Sequence, residues 1–354
     1  MKKLLAILLA LAMLTCIFAS CTNENNDADE TTVDDVTTEA EETTEAETEE
    51  VVLSTDPVRV FTLKGPTGMG MAPLMESDEA GESKLNYEFT LASAADEFTG
   101  DIIQGNFEIA CVPTNLASVL YNKTNGAIQV AAVNTLGVLY VLEDGNTITS
   151  IEDLEGKTIY SSGQGSVPEY ALNYILDAFQ INCRVIYESE HDLVVADLVS
   201  DKADIAVLPE PKVTAALLNE NAPEELRVAL DLTELWEQAC EKNGDNSALY
   251  MGCIIVNKSW AEANPNEVAA FLEEYETSVN TVNTDPDASS ETIAKFEIIP
   301  KAPMAKKAIP NCNIVFIKGD EMVDGLVGFF EVLYSYNASA VGGSVPTEDI
   351  FYIK

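Results

Sequence analysis

Val58-Arg59-Val60-Phe61-Thr62-Leu63-Lys64-Gly65-Pro66-Thr67-Gly68-Met69 is the stretch on which the fold reading turns. Its first six residues, mostly β-branched or aromatic, read as a strand, and Lys64-Gly65-Pro66-Thr67-Gly68 reads as the turn that ends it. Met69 to Met75 then reads as helix. The unit recurs at once. Tyr87 to Leu91 is a second strand, Glu97 to Gln104 a helix closed by Gly105, and Phe107 to Val112 a third strand. Pro113-Thr114-Asn115 opens a helix through Leu120, and Ile128 to Val133 is a fourth strand. Strands alternating with helices at this short spacing predict a parallel sheet with crossover helices.

A second run of the same kind starts near Ser150. Ser150-Ile151-Glu152-Asp153-Leu154 has capping-box spacing, a hydroxyl followed three residues later by an acid. Lys157 to Tyr160 reads as a strand, Gly163-Gln164-Gly165-Ser166 as a loop, and Pro168 to Ala178 as the helix it enters. Cys183 to Tyr187, Asp192 to Val199 and Asp204 to Leu208 continue as strand, helix and strand, and Pro209-Glu210-Pro211 leads a helix through Leu218. The likeness of the two runs predicts two similar α/β lobes. Thr135 to Leu142 and Tyr250 to Val256 are apolar extended stretches that predict two strands crossing between them. The remainder reads as helical. Pro265 to Thr281 and Glu321 to Tyr336 carry apolar stripes (Val268, Phe271, Leu272, Tyr275, Val279; Met322, Leu326, Phe329, Phe330, Leu333) at the spacing of core packing. The expected fold is α/β, with two doubly wound sheets joined by a two-strand hinge. Residues 57–138 and 254–354 form lobe 1, and 139–253 form lobe 2.

Before residue 57 the chain changes character. Met1-Lys2-Lys3 followed by apolar Leu4 to Phe18 describes a secretory signal peptide over residues 1–20. Cys21, after Phe18-Ala19-Ser20, sits where a bacterial lipobox places its lipidated cysteine, although phenylalanine replaces the usual leucine at the first position. Thr22 to Asp56 holds 14 acidic residues and no Lys or Arg. Such a segment buries too little apolar surface to offset its chain entropy, so residues 21–56 read as a disordered tether. The expected location is extracytoplasmic, anchored to the cell membrane through Cys21 alone. The whole chain carries 60 acidic and 19 basic residues, net −41. That charge excludes nucleic acid, which needs basic patches, and direct adhesion to anionic lipid heads. Cys111, Cys183, Cys240, Cys253 and Cys312 are widely spaced and odd in number, which describes neither a disulfide framework nor a zinc site.

Several segments together resemble the periplasmic-binding-protein type 2 fold, and more narrowly the nitrate/sulfonate/taurine-type solute-binding proteins of ABC importers, relatives of thiamine-precursor-binding proteins. They are Lys64-Gly65-Pro66-Thr67-Gly68-Met69-Gly70, Gly163-Gln164-Gly165-Ser166-Val167-Pro168-Glu169-Tyr170, Leu208-Pro209-Glu210-Pro211, Ala308 to Ile314 and Val341 to Pro346. The resemblance spans about Val58 to Tyr352. It implies an extracytoplasmic binding lipoprotein, a monomer, that captures a small organic or oxyanion ligand by hinge closure and hands it to a permease and its ATPase.

The candidate ligand contacts lie where strand C-termini meet helix N-termini, the edge at which open α/β sheets bind ligands. Lobe 1 would supply Thr67, Gly68, Met69, Thr114, Asn115 and Leu136. Lobe 2 would supply Gln164, Gly165, Ser166, Val167 and Glu210. Free N–H groups and the helix dipole favour an electron-rich group there. Thr114 and Ser166 could equally be plain N-caps, Gly68 and Gly165 plain turn glycines, and Glu210 a solvated first-turn acid. Tyr140 and Tyr250 could stack on a ring or pack in the hinge. Arg59, Arg184 and Arg227 are the three arginines, and none falls in a candidate turn, so an anion would lack a bidentate partner. His191, the sole histidine, reads as an exposed loop residue. No nucleophile, metal or phosphate-loop motif occurs, so no catalytic residue, metal or cofactor is expected. The alternatives are a ligand-sensing lipoprotein for a membrane signalling partner and, further off, an enzyme on the same scaffold.

Overall fold

The computed structural model describes residues 52–353. The signal peptide, Cys21 and almost all of the acidic tether lie outside the described residues. Along the chain come β1 (Pro57–Leu63), α1 (Pro66–Met69), α2 (Ala72–Glu79), β2 (Asn86–Ala92), α3 (Asp96–Gln104), β3 (Ile109–Pro113), α4 (Thr114–Lys123) and β4 (Ile128–Thr135). Then follow β5 (Leu139–Asp144), β6 (Thr158–Ser161), α5 (Val167–Phe179), β7 (Arg184–Tyr187), α6 (His191–Val199), β8 (Ile205–Pro209), α7 (Lys212–Leu217), β9 (Leu226–Asp231) and α8 (Leu232–Asn243). The last section holds β10 (Gly252–Asn257), α9 (Lys258–Ala263), α10 (Pro265–Thr284), α11 (Pro286–Lys295), α12 (Ala302–Ala308), β11 (Ile314–Ile317) and α13 (Gly319–Tyr336).

Two sheets result. One has the order β11-β4-β10-β3-β1-β2, the other β7-β6-β8-β5-β9. Apart from β11, both follow one plan. Three parallel strands come first, then a strand delivered by the crossing from the other lobe, then a fourth. Each delivered strand runs antiparallel to both neighbours: β10 against β3 and β4, β5 against β8 and β9. The sheets are therefore mixed rather than wholly parallel, because each crossing strand enters from the opposite side. The crossing segments are tied to each other, Met251 N donating to Thr135 O at 3.0 Å. Three further differences from the sequence reading have local causes. The helix expected from Met69 to Met75 is two short helices, broken at Gly70-Met71. The helix expected after Pro209 starts later, at Lys212. The section expected to be helical holds β11, whose Ile-Val-Phe-Ile run is too short for periodicity to separate strand from helix.

Local sequence rules are visible at the helix ends. Asp153 Oδ2 accepts from Ser150 N at 3.0 Å, as capping-box spacing requires. Asp231 caps α8 through Thr233 N at 2.7 Å, and Gly244 closes it in the left-handed conformation. Lobe 1 packs Met69, Met71, Phe271, Tyr275 and Val279 against one face of its sheet. A second core, containing Phe61, Phe98, Tyr174, Trp236, Tyr250 and Phe329, passes without interruption from lobe 1 into lobe 2. Helix α13 carries that continuity, contacting α4 and β4 of one lobe and α5 of the other. Each such large side chain contributes about 1.5–3 kcal/mol through burial.

Candidate functional site

The topological rule places the ligand edge at the C-terminal ends of β1 and β3 in lobe 1 and of β6 and β8 in lobe 2. These edges meet. Gly65, at φ +95°, brings its backbone to the Pro211 ring; a methyl on its Cα would lie 3.9 Å from Pro211 Cδ. Tyr140 Oη donates to Asn311 O at 3.0 Å, and the Asn313 amide donates to Gly137 O. Helix α12 packs on α7. The turn after β1, the turn after β8 and the 309–313 segment therefore converge beside the crossing strands.

The candidate residues occupy this region in different ways. Thr67 is half-buried on α1. Gly68 is buried, and a side chain there would collide with Leu63 O. The Met69 side chain belongs to the lobe 1 core. Thr114 is fully buried as the first residue of α4, and its Oγ1 has no nitrogen or oxygen partner, only the Cys253 thiol beside it. Asn115 is half-buried, with a long 3.5 Å contact to Ala340 O. Leu136 is half-buried, its N–H donating to Asn313 O at 3.1 Å. Gln164 and Gly165 are exposed. Ser166 Oγ donates to Gly163 O at 2.6 Å, and Val167 packs in the core. Gly165 adopts φ +77°, and its N–H donates to Glu169 Oε2 at 2.6 Å. The protein's own carboxylate thus holds the N–H that an anion would seek at α5.

Glu210 is not a solvated acid. It is buried, and its oxygens accept from Thr214 N at 3.1 Å and Thr214 Oγ1 at 2.9 Å. Burial pushes its carboxyl above the usual range, against the opposing pull of Thr214 and the Asn311 side chain. Tyr140 and Tyr250 both pack: Tyr140 reaches the 309–313 segment, and Tyr250 meets Phe329 edge-on at 5.8 Å. The arginines are spent elsewhere or point away. Arg59 pairs with Glu108 at 2.6 Å, Arg227 with Glu143 at 2.5 Å, and Arg184 is exposed on edge strand β7.

His191 corrects the sequence reading. It is the first residue of α6 and half-buried, and its Nδ1 is hydrogen-bonded to Ser162 Oγ, just past the end of β6. Burial, then the Lys212 ammonium, lower the pKa of the ring, with Asp192 opposing. An isolated acid-flanked histidine in sequence carries no sign of a serine 29 residues away. The available signal was positional: the helix after β7 begins at the ligand edge, so its first residues were candidates. Ser162, Asn311 and Asn313 escaped for the same reason, since only folding brings Ser162 to His191 and carries Asn311 and Asn313 to the crossing segment. Among the described residues no group of His, Cys, Asp and Glu could hold a metal ion, and no helix is long and apolar enough to cross a membrane.

Residues 127–289 match the family described as NMT1/THI5 like. No curated protein matches the chain. Among solved structures, an ABC transporter from Parabacteroides distasonis is 21% identical, with TM-score 0.71 over 84% of this chain and 99% of that one. The periplasmic aliphatic sulphonate binding protein SsuA from Escherichia coli is 17% identical, with TM-score 0.64 over 84% and 96%. The alkanesulfonate-binding protein SsuA from Xanthomonas axonopodis pv. citri, bound to MOPS, is 11% identical, with TM-score 0.61 over 86% and 100%. At these identities the likeness is one of fold. The chain has the two-lobed periplasmic-binding-protein type 2 fold, and its residues 127–289 carry the NMT1/THI5-like family pattern.

Proposed function

We propose that the chain is the solute-binding component of an ABC-type importer, a binder rather than a catalyst, tethered outside the cell membrane through lipidated Cys21. The observation that carries the reading is the meeting of the two ligand edges, Gly65 against Pro211 and Tyr140 against Asn311, beside paired crossing strands. A ligand lodged between such edges contacts both lobes at once, and its differential affinity for the closed arrangement drives closure. The sulfonate ligands named for the fold relatives suggest a small organic molecule bearing acceptor oxygens. With no arginine at these edges, recognition falls to uncharged donors: hydroxyls, amides and backbone N–H groups. Of the candidate set, Thr67, Asn115 and the exposed Gln164 amide would contribute such donors, whereas the Leu136 N–H and the Ser166 hydroxyl already donate to Asn313 O and Gly163 O.

The test is a thermal-shift and calorimetric screen of the mature protein against ethanesulfonate, taurine, nitrate, bicarbonate, amino acids and aminopyrimidines. A true ligand at a hundred times its Kd adds about 2.7 kcal/mol to stability and is recovered unchanged. Failure of every compound to raise Tm defeats the reading. The anchor is tested separately: Cys21→Ala should move the protein from the membrane fraction to the medium, with loss of label from a fatty-acid analogue.

A further inference from the structure

The Ser162–His191 pair is built into the ligand edge of lobe 2 and serves no structural need that the fold makes evident. Ser162 follows the last residue of β6, and its residue surface is 2% exposed. Its hydroxyl is hydrogen-bonded to His191 Nδ1 and has no other hydrogen-bond partner among the described residues. A hydroxyl donating to Nδ1 leaves the proton of a neutral imidazole on Nε2. That nitrogen has no hydrogen-bond partner among the described residues and is not among the sealed, unpartnered buried atoms, so it reaches solvent. Two charged groups face the ring. Lys212 comes from α7 and Asp192 from α6 itself, and they pair with each other at 2.5 Å. Lys212 follows Pro211, the residue that meets Gly65 of lobe 1. The ring therefore stands beside the junction of the lobes, with an uncharged, pre-oriented N–H and no partner of its own.

We propose that His191 Nε2–H is a ligand contact of lobe 2, its tautomer set by Ser162, and that it donates to an acceptor oxygen of the ligand. This rests on the solute-capture reading above and names the group that selects for an oxygen-bearing ligand. An imidazole held neutral keeps its donor without repelling Lys212. It also spares the site the desolvation of a second cation, which an arginine would incur. Glutamine can place an N–H close to the position of Nε2, whereas leucine fills the volume with no donor.

The chain contains one histidine, so its ring signals need no assignment. In uniformly 15N-labelled mature protein, long-range 1H–15N spectra should show an Nε2–H tautomer that titrates below 6.5, the ordinary value, with both nitrogens shifting when ethanesulfonate or taurine saturates the site. By calorimetry, His191→Leu should weaken that compound about tenfold to a hundredfold, His191→Gln should stay within about threefold of wild type, and Ser162→Ala should fall between. Near-ultraviolet circular dichroism and melting of each variant establish that it folds. Ring signals that ignore a compound shown calorimetrically to bind, or undiminished affinity in folded His191→Leu, overturn this assignment alone. A wild-type protein that binds no compound of the screen overturns the capture reading and this assignment with it.

Discussion

Glu210 and His191 show how the same burial acts oppositely on an acid and a base. Burial raises the Glu210 carboxyl, so the folded protein holds that proton more tightly than the unfolded chain does. Stability from this group is therefore full below about pH 4.5, the ordinary value, and falls as pH rises through the raised one. Glu210→Gln keeps an acceptor for Thr214 and should flatten that decline, leaving Tm higher than wild type at pH 8 and little changed at pH 4.5. Burial lowers His191, so its contribution has the other sign: stability drops as pH falls below 6.5, where the unfolded ring protonates first. His191→Gln should remove that acid-side loss in a melting series from pH 7.5 to 5. Thr114 gives a third case. Its buried hydroxyl meets only the Cys253 thiol, a weak partner, so the isosteric Thr114→Val should be neutral to stabilising by about 1 kcal/mol in urea unfolding.

At the scale of elements, α13 decides how firmly the lobes are joined. Its apolar stripe was legible because Met322, Leu326, Phe329, Phe330 and Leu333 recur at helical spacing, and all five are buried. Its partners were not legible. Gly325 lies directly against the Tyr250 ring, and Gly328 against Asn246 O, so the helix approaches the segment that leads into β10 as closely as backbone allows. At its far end Tyr336 Oη donates to Asp177 Oδ2 at 3.0 Å, and Asn337 Nδ2 to Tyr170 Oη at 3.2 Å, both on α5. A methyl at 325 would overlap the Tyr250 hydroxyl. Gly325→Ala should therefore cost about 1–3 kcal/mol, the usual range for overpacking, with the denaturant midpoint reduced and the m-value unchanged.

For the molecule as a whole, the question is what holds the edges together without ligand. Apart from the bonds of the α13 end to α5, the polar ties here are Tyr140 to the Asn311 carbonyl, which crosses between the lobes, and the Asn313 amide to the Gly137 carbonyl, which braces the crossing segment from lobe 1. Each net hydrogen bond is worth about 1 kcal/mol, small against the energies that make a fold but comparable to those that bias a hinge. Tyr140→Phe combined with Asn313→Ala should leave Tm within a few degrees, increase the radius of gyration in solution scattering, and weaken whichever ligand the screen finds. Unchanged scattering would show that α13, through its apolar face and its bonds to α5, keeps the lobes together without them.

Much of the architecture could be read before any coordinates. Strand, Gly- or Pro-led turn and helix recur at local spacing, and a local pattern needs only short-range physics: steric preference, capping and the period of the apolar side chains. The duplicated plan, the crossing stretches and the corners carrying Thr67, Asn115 and Ser166 were all visible in that way. The antiparallel placement of β5 and β10, the strand at β11, the Glu169 carboxylate seated on Gly165 and the Ser162–His191 pair were not. Each depends on groups that meet only when distant segments pack. Whether a polar side chain is satisfied by a neighbour or left open to a ligand is decided by that packing, since desolvation and hydrogen-bond geometry are properties of the assembled surroundings and not of the chain order.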